Sequence, residues 1–494
     1  MTPIRLSPRT LASARKCDLP RYDRKSLRPR IVHLGLGTFF RAHGAVYTHD
    51  LLNSEGGDWG ILGVSLQRPD QRDRLEPQGG LYTTVEKGPD GDRARIIGSV
   101  LGVLVAPENP EAVIQAMASP DAAIVTLTIT EKGYCHDPRT GRLDRSHPQI
   151  IRDLENPGSP STAIALMVEA LSRRRQAGLV PFTVLSCDNL ASNGHITRAL
   201  VNDFAALHDP ELAAWIDTHG AFPSTMVDRI VPATSETDRV RARELTGLDD
   251  AAPVMHEPFS QWVIEDRFVG SIRPRWELAG AQFASDVASF ETMKLRMLNG
   301  SHSALAYLGY LAGFETINEA IADAGMRAFV QRLWRDEIIP VTPTPTNGDL
   351  AAYAGALLDR FRNPAIRHRT WQIAMDGSQK LPPRLLATVR ARLEQKLTFP
   401  LIALAIGAWI IYVGGKDESG ASIDVRDPLA DKLRRLLDAE ENHSDKVKAV
   451  LAIQEIFGDL GLNPNFAEAV DKAYASLRQR GAAVSVAAAL SNDF

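Results

Sequence analysis

Near its start the chain reads Arg30-Ile31-Val32-His33-Leu34, then Gly35-Leu36-Gly37, then a segment from Phe39 to Leu52 whose apolar residues recur at near-helical spacing. A short apolar run, a two-glycine turn and an amphipathic run predict strand, tight turn and helix in immediate succession. The alternation continues with a strand over 60–66, a helix over 110–118, a strand over 122–129, a helix over 161–176 and a strand over 182–186. Strands alternating with helices imply a mostly parallel sheet covered on both faces.

Past residue 285 the apolar spacing turns helical, in 290–312, 326–338, 350–362, 383–394, 399–413, 444–457 and 465–480. The Pro-rich stretch 340–348 reads as a connector, because each Pro lacks a backbone donor and Gly348 permits positive φ. The expectation is an α/β fold in two parts, a mostly parallel, helix-covered sheet over 1–285 and a mainly α-helical part over 286–494. A chain of 494 residues exceeds what one core usually organises, which agrees with two domains.

Charge and cysteine usage narrow the partners. Lys and Arg total 56 against 60 Asp and Glu, a net charge of -4 without a long run of one sign, so neither a nucleic acid nor an anionic membrane is an expected partner. Small molecules are. Cys17, Cys135 and Cys187 are scattered without metal spacing, which suits a reducing cytosol, and the polar, Arg- and Pro-rich first 30 residues give no secretory signal. A cytoplasmic location is therefore expected. The most apolar segment, 399–413, falls short of the roughly 20 residues needed to span a bilayer and reads as a core helix. No oligomeric state follows; a monomer is compatible with the sequence.

Three sets of residues carry candidate chemistry. Gly35 and Gly37, between a strand and a helix, sit where backbone N–H groups receive a pyrophosphate. Phe40 stands at the third position of the fingerprint, so the motif alone does not separate a cofactor site from an ordinary strand-to-helix turn. The second strand ends Ser65-Leu66-Gln67-Arg68, without the acidic residue that grips an adenosine ribose, and Arg68 is placed to meet a 2′-phosphate or to remain a solvated cation. The choice between NAD and NADP stays open. In the second set, Glu291, Lys294, Asn299 and His302 fall within an arc of about 140° on a helix advancing about 100° per residue. A Lys whose pKa burial lowers, an amide, an imidazole and a relaying carboxylate suit proton transfer; the bland readings are a snorkelling Lys and a helix end at Asn299-Gly300. The third set lies where strands stop: Glu131 and Lys132 after one, Asp188, Asn189 and Asn193 after another, at the carboxyl edge where ligands of open α/β sheets bind.

Together these strings resemble the polyol-specific long-chain dehydrogenase/reductase family, which includes mannitol 2-dehydrogenases and fructuronate reductases. The resemblance rests on 31–37 with Arg41-Ala42-His43, on Thr128-Ile129-Thr130-Glu131, on Ser186-Cys187-Asp188-Asn189 with Asn193-Gly194, on 222–230 and on 293–302. It implies an N-terminal Rossmann-like NAD-binding domain over 1–285 and a mainly α-helical substrate and catalytic domain over 286–494, together an NAD-dependent secondary-alcohol dehydrogenase or ketone reductase without a metal, its substrate bound between the two domains. Lys294 matches the family's acid/base, Asn189 and Asn299 the pair that stabilises the oxyanion, His302 the group that orients the reacting oxygen, and Glu291 a carboxylate that helps Lys294 exchange its proton. Cofactor contacts are assigned to Gly35, Gly37, Phe40, Arg41, Arg68, Glu131 and Asp228, with NADP not excluded. Substrate contacts are assigned to Lys132, Gln372 and Lys380. Lys132 stands where mannitol dehydrogenases tend to carry Gly, and Gln372 where they tend to carry a substrate-contacting Arg. Residues 367–382 and 261–266 are similar to fructuronate reductases, so a sugar acid is the expected substrate and a mannitol- or arabinitol-type polyol the alternative.

Overall fold

The computed structural model describes residues 4–137, 140–346 and 348–491, so Asn347 of the Pro-rich connector lies outside the described residues. The chain divides into two compact units, Met1–Ala288 and Ser289–Phe494.

Five parallel strands form the centre of the first unit: β1 (Arg28–Leu34), β2 (Trp59–Ser65), β3 (Val100–Val105), β4 (Ile124–Leu127) and β5 (Thr183–Ser186), in spatial order β3-β2-β1-β4-β5. The order reverses direction between β1 and β4, which makes their carboxyl ends the switch point of a doubly wound sheet. Side chains alternate across the pleat. Val32, Leu34, Val64, Val125, Leu127 and Val184 enter one core with the helices Pro110–Ala118, Ala163–Gln176 and Asn193–His208, while Ile31, Ile61, Val103, Ile124 and Leu185 enter the opposite core with Phe40, Trp262 and Trp276. A four-stranded, a three-stranded and a two-stranded sheet complete the unit, the three-stranded one pairing Thr225–Asp228, Gln261–Glu265 and Gln282–Ala284.

One predicted helix is two. The run from Phe39 to Leu52 divides into α1 (Thr38–Ala42) and α2 (Gly44–Glu55) at His43, whose φ of -129° and ψ of -94° are not helical. The break has a packing cause. His43 Nε2 bonds the carbonyl of Gln261 at 3.0 Å, and the Phe40 ring lies 2.5 Å from where a Cβ on Gly44 would stand.

The second unit is helical, and among the described residues no strand follows Ala284. Its most apolar helix, Pro400–Val413, is buried from Leu401 to Val413 and packs on Ser301–Leu311 and Pro464–Arg480. Among the described residues no helix is long and apolar enough to cross a membrane. Residues 288–311 run on as one helix whose middle, Lys294–Gly300, is a π-helix. Gly300 does not end it: its φ and ψ are helical, and a Cβ there would stand 2.8 Å from the carbonyl oxygen of Arg384, so glycine lets the chain at Pro382–Leu386 pass close by. That passing segment and Leu333–Ile338 are π-wound too, and both touch Lys294–Gly300.

Candidate active site

In the first unit the candidate site begins at the glycine turn. Gly35 has a φ of +91°, and a Cβ on it would lie 2.3 Å from the carbonyl oxygen of Thr128 at the end of β4. Only glycine fits. Gly37 caps α1 with extended backbone, and the space beside it is open, the nearest atom to a Cβ being the Gly35 oxygen at 3.7 Å. An open glycine floor at a switch point is the cradle a pyrophosphate needs, so the residues present fit a dinucleotide.

The turn is held from below by a buried chain of hydrogen bonds. Thr128 Oγ1 donates to the Gly35 carbonyl at 2.9 Å, which leaves it to accept from His33 Nε2 at 3.0 Å, so His33 Nδ1 accepts from Thr126 Oγ1 at 2.8 Å. Burial holds the imidazole neutral, its pKa lowered to about 3. The Phe40 ring stacks on His33 with centroids 3.4 Å apart, so the aromatic at the third fingerprint position faces the core, and only the backbone of Phe40 is left to meet a ligand. Arg41 is 2% exposed, and its guanidinium donates to the carbonyl of Ala252 and lies over Tyr82, so of this residue too only the backbone is left to meet a ligand. Arg68 is exposed just past β2, and Asp228 is buried at the end of its strand.

Glu131 and Lys132 are exposed on a single turn, Glu131–Tyr134, after β4. The turn is framed by two residues with positive φ, Thr130 at 63° and Cys135 at 49°. Thr130, with ψ of 162°, occupies a region that is essentially glycine's own and costs other residues about 1–3 kcal/mol. Asp188, after β5, accepts from the amides of Ile129 and Thr130 and from the Tyr134 hydroxyl, each at 2.9 Å. Asn193 is fully buried: its side-chain amide donates to the carbonyls of Asp188 and Thr225 and accepts from the Thr225 amide. It shapes the loop that carries the exposed Asn189.

In the second unit the π-turn rearranges the polar face. Bonds running i→i+5 advance each residue by roughly 80° instead of 100°, which narrows the arc of Glu291, Lys294, Asn299 and His302 from about 140° to roughly 100°. The 100° helix was thus the wrong ruler for this segment. Met297, inside it, gives its carbonyl to Trp334 Nε1 at 2.9 Å and to the Ser301 hydroxyl. Lys294 and His302 are buried, and Glu291 and Asn299 half-buried.

Around His302 the unit gathers groups whose roles spacing did not reveal. Phe361 stacks on the imidazole at 4.9 Å and His368 meets it edge-on at 4.7 Å. Arg384, on the neighbouring π-segment, donates to Ser303 Oγ at 3.1 Å. Burial, reinforced by His368, Arg384, Arg360 and Lys380, drives the His302 pKa well below its usual value, so the ring is neutral. Burial and Lys380 likewise lower His368 to about 4. Lys380 is half-buried, donates to the carbonyl of Met375 at 2.5 Å, and has its pKa lowered by burial and by Arg384 against the opposing pull of Asp376. Gln372 is exposed on Thr370–Ala374. Arg384 and Arg360 sit on segments legible in the sequence only as helical, 383–394 and 350–362, so neither carried a signal.

Residues 29–278 match the Mannitol dehydrogenase Rossmann domain and residues 286–478 the Mannitol dehydrogenase C-terminal domain. The chain is 50% identical to the uncharacterized oxidoreductase YeiQ of Escherichia coli (strain K12), over 94% of this chain and 95% of that one. It is 48% identical to the D-mannonate oxidoreductase of the same organism, over 95% of this chain and 97% of that one. Among solved structures, the mannitol 2-dehydrogenase of Pseudomonas fluorescens, in ternary complex with NAD and D-mannitol, superposes with a TM-score of 0.87 at 40% identity, covering 99% of this chain and 100% of that one. This chain belongs to the mannitol dehydrogenase family. It is an oxidoreductase with a Rossmann domain and a mainly helical C-terminal domain.

Proposed function

We propose that the protein catalyses the reversible NAD(H)-dependent interconversion of D-mannonate and D-fructuronate. The observation that supports a sugar acid is the charge around His302: Lys380, Arg384 and Arg360 all act on one neutral imidazole in a buried part of the helical unit. A carboxylate leaving water costs several kcal/mol unless cations and donors replace its hydration. A neutral polyol has no such need. The greater identity to a D-mannonate oxidoreductase, 48% against 40% for the mannitol-bound enzyme, points the same way.

The nicotinamide, when bound, supplies the hydride for reduction of the ketone carbon or receives it from the alcohol. Lys294, as the ammonium, delivers its proton to the ketone oxygen, and Asn189 and Asn299 donate hydrogen bonds to the alkoxide as its charge develops. His302 stays neutral and donates one ring N–H to the same oxygen, orienting it. Glu291 returns a proton to Lys294. Gly35, Gly37, the backbone at Phe40, Glu131 and Asp228 serve the cofactor, and Lys132, Lys380 and Gln372 the substrate.

A screen of fructuronate, tagaturonate, fructose and xylulose with each reduced cofactor tests the reading. Fructuronate with NADH is expected to give the highest kcat/KM. Lys132→Gly is expected to lower fructuronate reduction by about 10- to 1000-fold, the scale of one charge-assisted bond formed as the carboxylate leaves water, widened for the charge left unpaired, and to spare fructose. A wild-type preference for fructose would overturn the assignment in favour of a polyol 2-dehydrogenase.

A further inference from the structure

Thr130 is a β-branched residue in a backbone region that glycine alone enters freely, and it immediately precedes Glu131 and Lys132. The surroundings that hold it there converge on one side chain. The two oxygens of Asp188 accept from consecutive amides, Oδ2 from Ile129 and Oδ1 from Thr130, and Oδ2 also accepts from the Tyr134 hydroxyl at the far end of the turn. Tyr134 is itself fixed on Ser186 Oγ at 2.6 Å, and the turn closes with the Gly133 amide on the Thr130 carbonyl at 3.0 Å. Asp188 is fixed in turn, because its carbonyl accepts from Asn193, whose amide also clamps Thr225.

From this geometry we infer that Asp188 is a positioning residue: its carboxylate imposes the glycine-like conformation on Thr130 and so sets where Glu131 and Lys132 project. Because Asn189 is the next residue, the same anchor ties the turn after β4 to the loop after β5. Residues read above as cofactor-, substrate- and oxyanion-binding thus share one support. The inference rests on that reading of Glu131, Lys132 and Asn189, but it concerns a group that touches none of the reacting atoms. No oxygen of Asp188 is replaceable by a donor, since all three partners donate, so Asp188→Asn turns an NH2 group toward an N–H or O–H.

A merely structural anchor and a positioning anchor differ in what a glycine at residue 130 does. Glycine adopts the conformation without being held, so Thr130→Gly should repair the geometry that Asp188→Asn loses. In a merely structural role it would at most raise the urea midpoint by relieving the strain at residue 130, and would leave the kcat/KM of the folded Asp188→Asn enzyme unrecovered. The test uses the full-length protein and whichever ketone the wild type reduces. Asp188→Asn is expected to lower kcat/KM by roughly 100-fold, the usual effect of misplacing a site group by about 1 Å, and to speed amide exchange in residues 129–134. Adding Thr130→Gly is expected to recover at least about 10-fold of the activity and to slow that exchange again. Should Asp188→Asn not fold, Tyr134→Phe removes one of the three donors while keeping the ring; a loss of about 3- to 10-fold, again reversed by Thr130→Gly, is expected. Additive losses in either double variant, or unchanged kcat/KM and exchange in the folded single variant, overturn the inference. If the wild type prefers fructose, the sugar-acid reading fails, while the same ratios measured on fructose and the exchange data still decide the role of Asp188.

Discussion

Two glycines two residues apart should respond in opposite ways to the same methyl group. At Gly35 an alanine meets a φ of +91°, which costs an L-residue about 1–2 kcal/mol, and a backbone oxygen 2.3 Å from its Cβ, an overpacking that costs about 1–3 kcal/mol more. The end of β4 cannot yield cheaply, because Thr128 is held to the Gly35 carbonyl and to His33. Gly35→Ala should therefore lose roughly 2–5 kcal/mol, seen as a fall in melting temperature on the order of 5–10 °C. At Gly37 the backbone is extended and the nearest atom to a new Cβ is 3.7 Å away, so Gly37→Ala should keep its stability to within about 0.5 kcal/mol. What the methyl occupies is the space a pyrophosphate would approach. Fluorescence titration should show NADH binding weakened by roughly 10- to 100-fold in Gly37→Ala, about 1.4–2.8 kcal/mol. Calorimetry beside the titration separates the two glycines. If Gly37→Ala binds NADH within about twofold of the wild type, no ligand passes that residue and the reasoning from open space to cofactor is refuted.

Lys294→Ala should cut turnover by roughly 100- to 10,000-fold with NADH titration unchanged, and near-normal single-turnover rates would remove Lys294 from the acid/base role. Arg68→Ala should leave kcat/KM with NADH nearly unaltered and lower any activity with NADPH; equal losses with both would show that Arg68 does not read a 2′-phosphate. His33, His49 and His256 are neutral in the folded state, their pKa values lowered to about 3, against about 6.5 when unfolded. Below pH 6.5 the unfolded chain takes up protons that the folded chain refuses. Stability is then fully present above that pH and falls toward pH 3, by about 1.4 kcal/mol per pH unit for each ring. Urea midpoints at pH 7, 6 and 5 should trace that slope, and His33→Gln should flatten it; a midpoint independent of pH over this range would contradict the burial argument.

Periodicity made the architecture legible because a parallel sheet covered on both faces leaves an unmistakable trace: short apolar runs, each followed by a turn and a helical run. It also made the core helix 399–413 legible, since a helix buried all round needs no polar face. Side-chain direction was another matter. Phe40 and Arg41 lie in a motif that suggests a cofactor, yet the ring stacks on His33 and the guanidinium bonds Ala252, partners 7 and 211 residues away. Nothing local distinguishes an inward arginine from an outward one. Winding was equally hidden: Lys294–Gly300 is π-helical because Trp334 and the close passage of the chain at Arg384 hold it so, and the resulting narrower arc depends on those tertiary partners. The cations around His302 come from Arg360 on one helix and from Lys380 and Arg384, one turn apart on another, and only packing unites the two. The sequence by itself determined which chemical groups the chain owns and in what order its strands and helices arise, because both are properties of residues and their near neighbours. Which of those groups face one another, at what distance and in what protonation state, was decided by contacts between residues remote in sequence, and those exist only once the core has closed.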